Sequence, residues 1–190
     1  MAISAQEKML YVANKLGLST LKNMQGSTRV VYDQQTTAAL DHTLFAGSAQ
    51  RNFPLTNLGA NGNQFQVNEA LLVEQIGFFI PDAVDGQNYR GLFNIGPNVP
   101  SSVKFDLVIG NKTVIKDCVV EGGGQQAFYN DGTCASSIIT LEGVGILIPP
   151  QVEFYVRASV FDTRTRGASS IALGCYLFGT AALLNFNTTI

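Results

Sequence analysis

The chain has 190 residues, 46% of them hydrophobic, enough to bury a sizeable core, and an all-β sandwich of this length forms one domain. Charged residues make up only 14%, against roughly 25% in an average domain, while Asn, Gln, Ser, Thr and Gly are abundant; the polar surface is mostly uncharged, and part of it is expected to be covered by other subunits. The net charge is −2 and the twelve Lys and Arg residues are scattered, so direct nucleic-acid binding is not expected.

At the start, Ser4-Ala-Gln-Glu7 is a capping box, which predicts a helix beginning there. Met9, Val12, Ala13 and Leu16 fall at i, i+3, i+4 and i+7 and form one apolar stripe, and Gly17 is placed to end the helix. A helix of about twelve residues is marginal alone in water, so it must dock on something. With a second helical turn expected over 19–25, residues 1–27 read as a helical arm and 28–190 as the β domain. The same segment lacks the basic region and apolar core of a signal peptide, and the longest apolar run, 171–184, is shorter than the ~20 residues of a membrane span; no membrane partner is expected.

From Thr28 the pattern changes to strands. Residues 29–32 form a short apolar run, 42–45 and 51–53 are weaker candidates, and 57–63 is loop chemistry. In 69–81, Leu71 and Val73 share one parity whereas Ile76 and Phe78 share the other; one extra residue at Glu74-Gln75 returns both sets to one core, which predicts a β-bulge. A loop over 82–102 precedes the alternation of Val103, Phe105, Leu107 and Ile109, and Gly110-Asn111 is a two-residue hairpin turn leading into 113–120. After a loop bounded by Gly122-Gly-Gly124 and Asn130-Asp-Gly132, strands at 137–141 and 144–148 lead to Pro149-Pro150, a rigid corner that belongs between strands. Val152, Phe154, Val156, Ala158 and Val160 then alternate with polar or half-polar neighbours, and 162–167 is a polar turn. The last strand, 171–184, carries Ile171, Leu173, Cys175 and Leu177 on one face, yet Ala172, Tyr176 and Phe178 make the other face apolar too, so it is covered by the arm or by a partner.

Chemistry is sparse. His42 is the only histidine, which leaves a catalytic triad one possible base and excludes a His-rich metal site; beside Asp41 it reads as a hydrogen-bonded structural residue. Gly122-Gly-Gly-Gln lacks the Lys-Ser/Thr of a phosphate loop, and Asp131 and Asp162 match no calcium-loop spacing. Arg164 and Arg166 read as solvated. Cys118, Cys134 and Cys175 are far apart and odd in number, which suggests a reducing compartment rather than a disulfide framework, and the two N-x-T sequons are expected to be chance. No cofactor and no metal is expected, and a metal-binding jelly-roll enzyme ranks third because such sites use several histidines.

Together these elements predict an all-β fold: an antiparallel β-sandwich of jelly-roll type with about eight strands, preceded by a short N-terminal helical arm. Its long strands, Pro- and Gly-marked corners, wide loops and leading arm resemble the single jelly-roll proteins of viral particles, in particular small bacteriophage virion proteins such as capsid, head-decoration or vertex proteins. The residues that carry this likeness are 67–81, 145–161 and 170–181. The resemblance implies a non-enzymatic virion protein made in the host cytoplasm, a homo-oligomer (trimer or pentamer) docked with other virion structural proteins. It also favours a neighbouring subunit over the chain's own sandwich as the site where the arm docks. The candidate subunit interface is then Met9, Val12 and Leu16 with Tyr176 and Phe178. The runner-up is a carbohydrate-binding module using Asn, Gln and the loop tyrosines Tyr89 and Tyr129, although the chain has no Trp to serve as a stacking platform.

Overall fold

Phe154, Val156, Ala158 and Val160 follow the Pro149-Pro150 corner at alternate positions and are all buried, so strand geometry drives one face of this stretch into the core. The computed structural model describes residues 3–18, 24–47, 55–58, 62–79, 102–121, 137–161 and 171–184. Among them are one helix, α1 (Ala5–Lys15), and nine strands: β1 (Met24–Ala39), β2 (Asp41–Leu44), β3 (Glu69–Phe79), β4 (Ser102–Ile109), β5 (Lys112–Glu121), β6 (Ser137–Thr140), β7 (Ile146–Ile148), β8 (Phe154–Phe161) and β9 (Ile171–Leu184).

The strands form two antiparallel sheets. In the first, β9 lies between β1 and β3, and the far edge of β3 carries both β7, opposite residues 71–73, and β6, opposite 75–78. The second runs β2-β8-β4-β5. Their inner faces share one core, in which Leu71, Val73, Ile76 and Phe78 of β3 meet Phe105 and Leu107 of β4 and Val156 of β8. The rings of Phe78 and Phe105, 5.0 Å apart, join the two sheets directly.

The bulge is where the parity argument placed it. Val73 pairs with Gly179 and Gln75 with Phe178, so Glu74 has no opposite number and the strand turns over by one residue. Both Val73 and Ile76 are therefore fully buried. The chain returns to this point at Gly145, whose φ of +99° and position against the Val73 carbonyl leave no space for a Cβ. The Gly110-Asn111 hairpin joins β4 and β5 as expected, with Gly110 at φ +57°.

Two expectations are corrected. Met24 and Gln25 belong to β1 rather than to a helical turn, so the β domain begins at least four residues before Thr28. The short run 29–32 is the middle of a sixteen-residue strand, because β9 supplies a ladder partner for polar residues that show no apolar alternation. The strand expected over 113–120 is present as β5, which carries extra residues opposite both ends of Leu107, with Asp117 at φ +51°. The candidate strand 51–53, the glycine loop 122–132 and all of the expected loop 82–102 except Ser102, which begins β4, lie outside the described residues.

Candidate functional site

The arm is built as its sequence dictates. The Glu7 N–H donates to Ser4 Oγ (3.2 Å) and the Ser4 N–H donates back to Glu7 Oε2 (2.8 Å), closing the capping box. At the other end Gly17, at φ +70°, donates to the Asn14 carbonyl (3.3 Å) and Leu18 to that of Ala13 (2.9 Å), the paired bonds that close a helix through a left-handed glycine.

Its apolar stripe lies on the outer face of the first sheet of its own chain. Val12 is fully buried against Ala70 and Leu72 of β3 and Ala182 and Leu184 of β9, with Met9 and Leu16 half-buried around them. This small core is separate from the one between the sheets. Within the single chain the stripe therefore covers its own sandwich, whereas the resemblance placed it on a neighbour.

The bulge helps to fix the arm. Glu74, the residue without a ladder partner, turns outward and accepts from Lys8 Nζ of α1 (2.7 Å) and from Thr180 Oγ1 of β9 (2.6 Å). Burial raises the pKa of its carboxyl, but the hydrogen bonds from Lys8 and Thr180 and the Lys8 charge outweigh burial and hold it below the ordinary carboxylate value. A group with a lowered folded pKa contributes stability above its unfolded pKa and loses that contribution as pH falls through the folded one. Glu74→Gln is therefore expected to cost about 1 kcal/mol at neutral pH. Chemical denaturation of both proteins from pH 7 down to about 3 should show the gap closing below roughly pH 4. A gap that is constant over the whole range would count against the ion pair.

The other two interface candidates sit farther along the same outer face. Tyr176 is buried, its ring lying over Gly77 on the neighbouring strand, and the Phe79 ring covers Gly174 in the same manner; in each case an aromatic side chain fills the space that a cross-strand glycine leaves. Phe178 is half-buried between Val30 and Gln75. Tyr176 is six residues from Ala182, about 20 Å along the strand, so it lies apart from Val12.

On the outer face of the second sheet a depression of about 280 Å³ is lined by Asp41, Thr43, Lys104, Asp106, Asp117, Arg157 and Ser159, among others. Four of its five charged side chains are paired with one another, and the fifth, Asp41, accepts from a hydroxyl. Lys104 pairs with Asp117 (2.7 Å), Arg157 with Asp106 (3.1 Å), and Ser159 Oγ donates to Asp41 (2.6 Å). Asp106 also accepts from the Asp117 N–H (2.7 Å), which holds the bulged residue in its left-handed conformation. The hydrogen bond and charge of the Lys104–Asp117 pair raise the lysine pKa and lower that of the aspartate. No lining side chain offers an exposed aromatic platform for a sugar, since the two rings, His42 and Phe105, are both buried. This depression was missed from sequence because it depends on the irregular pairing of β5.

Asp41 and Ser159 meet here, but His42 faces the opposite way. It is buried, with Nδ1 3.1 Å from Gln35 Oε1 and Nε2 3.0 Å from the Ala39 carbonyl, the hydrogen-bonded structural role expected of it. Neighbouring strand residues point to opposite faces, and a Ser-His-Asp relay cannot be assembled from these three. Cys118 and Cys175 are free thiols, and burial pushes both pKa values up, Cys175 well up, so neither is an activated nucleophile. Among the described residues no three His, Cys, Asp or Glu side chains are grouped to hold a metal ion, and no helix is long and apolar enough to cross a membrane. Comparison with protein-family models, curated proteins and solved structures finds no match to the chain. Tyr89, Tyr129, Asp131, Cys134, Asp162, Arg164 and Arg166 lie outside the described residues.

Proposed function

We propose that the chain is a non-enzymatic, single jelly-roll structural protein of a viral particle, of the kind found in bacteriophage capsids or head decorations, and that it works as a homo-oligomer beside other virion proteins. The observation that carries this reading is the order of pairing. The first strand pairs with the last (β1 with β9), the second with the last but one (β2 with β8), β3 with β6 and β7, and β4 with β5. We read β6 and β7 as one interrupted strand along the same edge of β3; on that reading the pairing order supports a single long hairpin of four pairs rolled into two sheets, as in the jelly rolls of capsid domains.

The low charge fraction supports self-association, since a surface exposed on every side needs more charge to stay monomeric. Support for a structural rather than a catalytic role comes from a polar depression in which four of the five charged side chains are paired with one another and a single histidine held by structural bonds. Native mass spectrometry of the purified protein is expected to show a multiple of the 20.4 kDa chain. A monomer alone, from low to high micromolar concentration, would refute self-association.

A further inference from the structure

The two sheets expose four edges, and three are built against strand addition. Along β5 the register shifts twice, Asp117 stands at φ +51°, and Lys112 and Lys116 add charge. β2 has only four residues, and the edge formed by β6 and β7 is interrupted at 141–145. Such bulges, charges and short strands are how proteins block unwanted pairing. β1 differs. It runs in unbroken register with β9 from Met24 to Gln35.

Part of its outer edge is closed. The Tyr32 N–H donates to Asn57 Oδ1 (2.8 Å), Asn57 Nδ2 donates to the Val30 carbonyl (2.7 Å) and the Gln34 N–H to that of Leu55 (2.9 Å). Even-numbered residues thus turn their backbone groups away from β9, and the two-residue period makes Met24, Gly26 and Thr28 do the same. Among the described residues none of those three outward N–H and C=O pairs has a hydrogen bond. Gln25, Gly26, Ser27 and Thr28 are exposed and uncharged, and the stretch holds no proline or lysine to deter pairing.

We propose that this edge pairs antiparallel with the same edge of a second copy, about a two-fold axis at Gly26, an inference that rests on the self-association read above. A row of donors and acceptors that have no partner among the described residues, held in strand geometry, is recognised by another strand, and its uncharged side chains make it self-complementary. In the register that uses every free group and stops short of Asn57, Met24 lies opposite Thr28 of the partner subunit and Gly26 opposite Gly26 of the partner subunit. Each opposed pair exchanges two hydrogen bonds, six in all. Gln25 then faces Ser27 of the partner subunit at a position without ladder hydrogen bonds, where the Cα atoms are about 4.5 Å apart.

Two variants test this. Thr28→Pro removes one outward N–H without touching the β1–β9 ladder, the one kind of strand position where proline is tolerated. It is expected to leave the melting temperature nearly unchanged and at least to halve the native mass. In the second test, full-length Gln25→Cys and Ser27→Cys proteins are mixed under mild oxidation, with each alone and the parent protein as references. A disulfide-linked species of twice the 20.4 kDa chain mass should form in the mixture alone. An oligomeric parent whose mass survives Thr28→Pro, or whose mixed variants give no more covalent dimer than the references, overturns the edge pairing and leaves self-association standing. A monomeric parent overturns both. Should Thr28→Pro fail to fold, the cysteine mixture decides.

Discussion

Ile76→Asp is expected to unfold the protein at ordinary temperatures or to lower its melting temperature by roughly 10 °C or more. Ile76 is fully buried between the sheets, and Val73, three positions earlier, is buried in the same core because Glu74 is inserted between them. An aspartate at either position would leave a carboxylate without a partner among aliphatic and aromatic side chains, at a cost of several kcal/mol. Against a total stability of about 5–15 kcal/mol this is a large fraction. The same charge at Val119, 53% exposed on β5, should change stability by no more than about 0.5 kcal/mol. Thermal denaturation of the three proteins measures both values. An Ile76→Asp protein that melts with the parent would mean that the strand does not change parity at Glu74.

What the sequence reveals and conceals follows from where each signal is stored. The bulge is legible because burial has a period of two in a strand, and the shift of apolar parity between Val73 and Ile76 requires one inserted residue if both are to reach the same core. The helix is equally legible: Ser4, Glu7 and Gly17 act within a few residues of one another. The first part of β1 is not. Met24 to Thr28 is strand because Leu184 to Thr180 lie beside it, a pairing stored some 150 positions away and invisible in a run of Gln, Gly, Ser and Thr. The surface beneath the arm was half visible. The two-sided apolar character of 171–184 shows that something covers β9, but only the folded chain brings Ala70 and Leu72 beside Ala182 and Leu184 and selects α1 as the cover. Tyr176 was drawn into the expected interface for a related reason, since its ring is occupied by Gly77, a residue whose missing side chain reads in sequence as a mere weakness in a strand.

Deleting residues 1–18 is expected to lower the melting temperature by about 5–10 °C and to leave the native mass at the same multiple of the chain. The arm buries Val12 and Ala13 completely and Met9, Tyr11, Leu16 and Leu18 in part. Full burial of one large apolar side chain contributes about 1.5–3 kcal/mol, and the gain is reduced by the entropy lost when the eleven helical residues are ordered. A net loss of a few kcal/mol remains, with the Lys8–Glu74 pair adding a smaller share. Because the arm can undock as a unit, no single change in its stripe should cost more than its whole docking energy, so Val12→Asp should match the deletion rather than exceed it. The deletion uncovers Leu72 and Leu184, and the mass is best measured at low micromolar concentration, where loose association through that patch is weakest. The strand that carries the free edge begins at Met24, beyond the deleted segment, so edge pairing between copies survives the loss of the arm. A deletion variant that keeps the parent's melting temperature but falls to a monomer would place the arm on a neighbouring subunit after all, and would take from Val12 the intrachain partners described above.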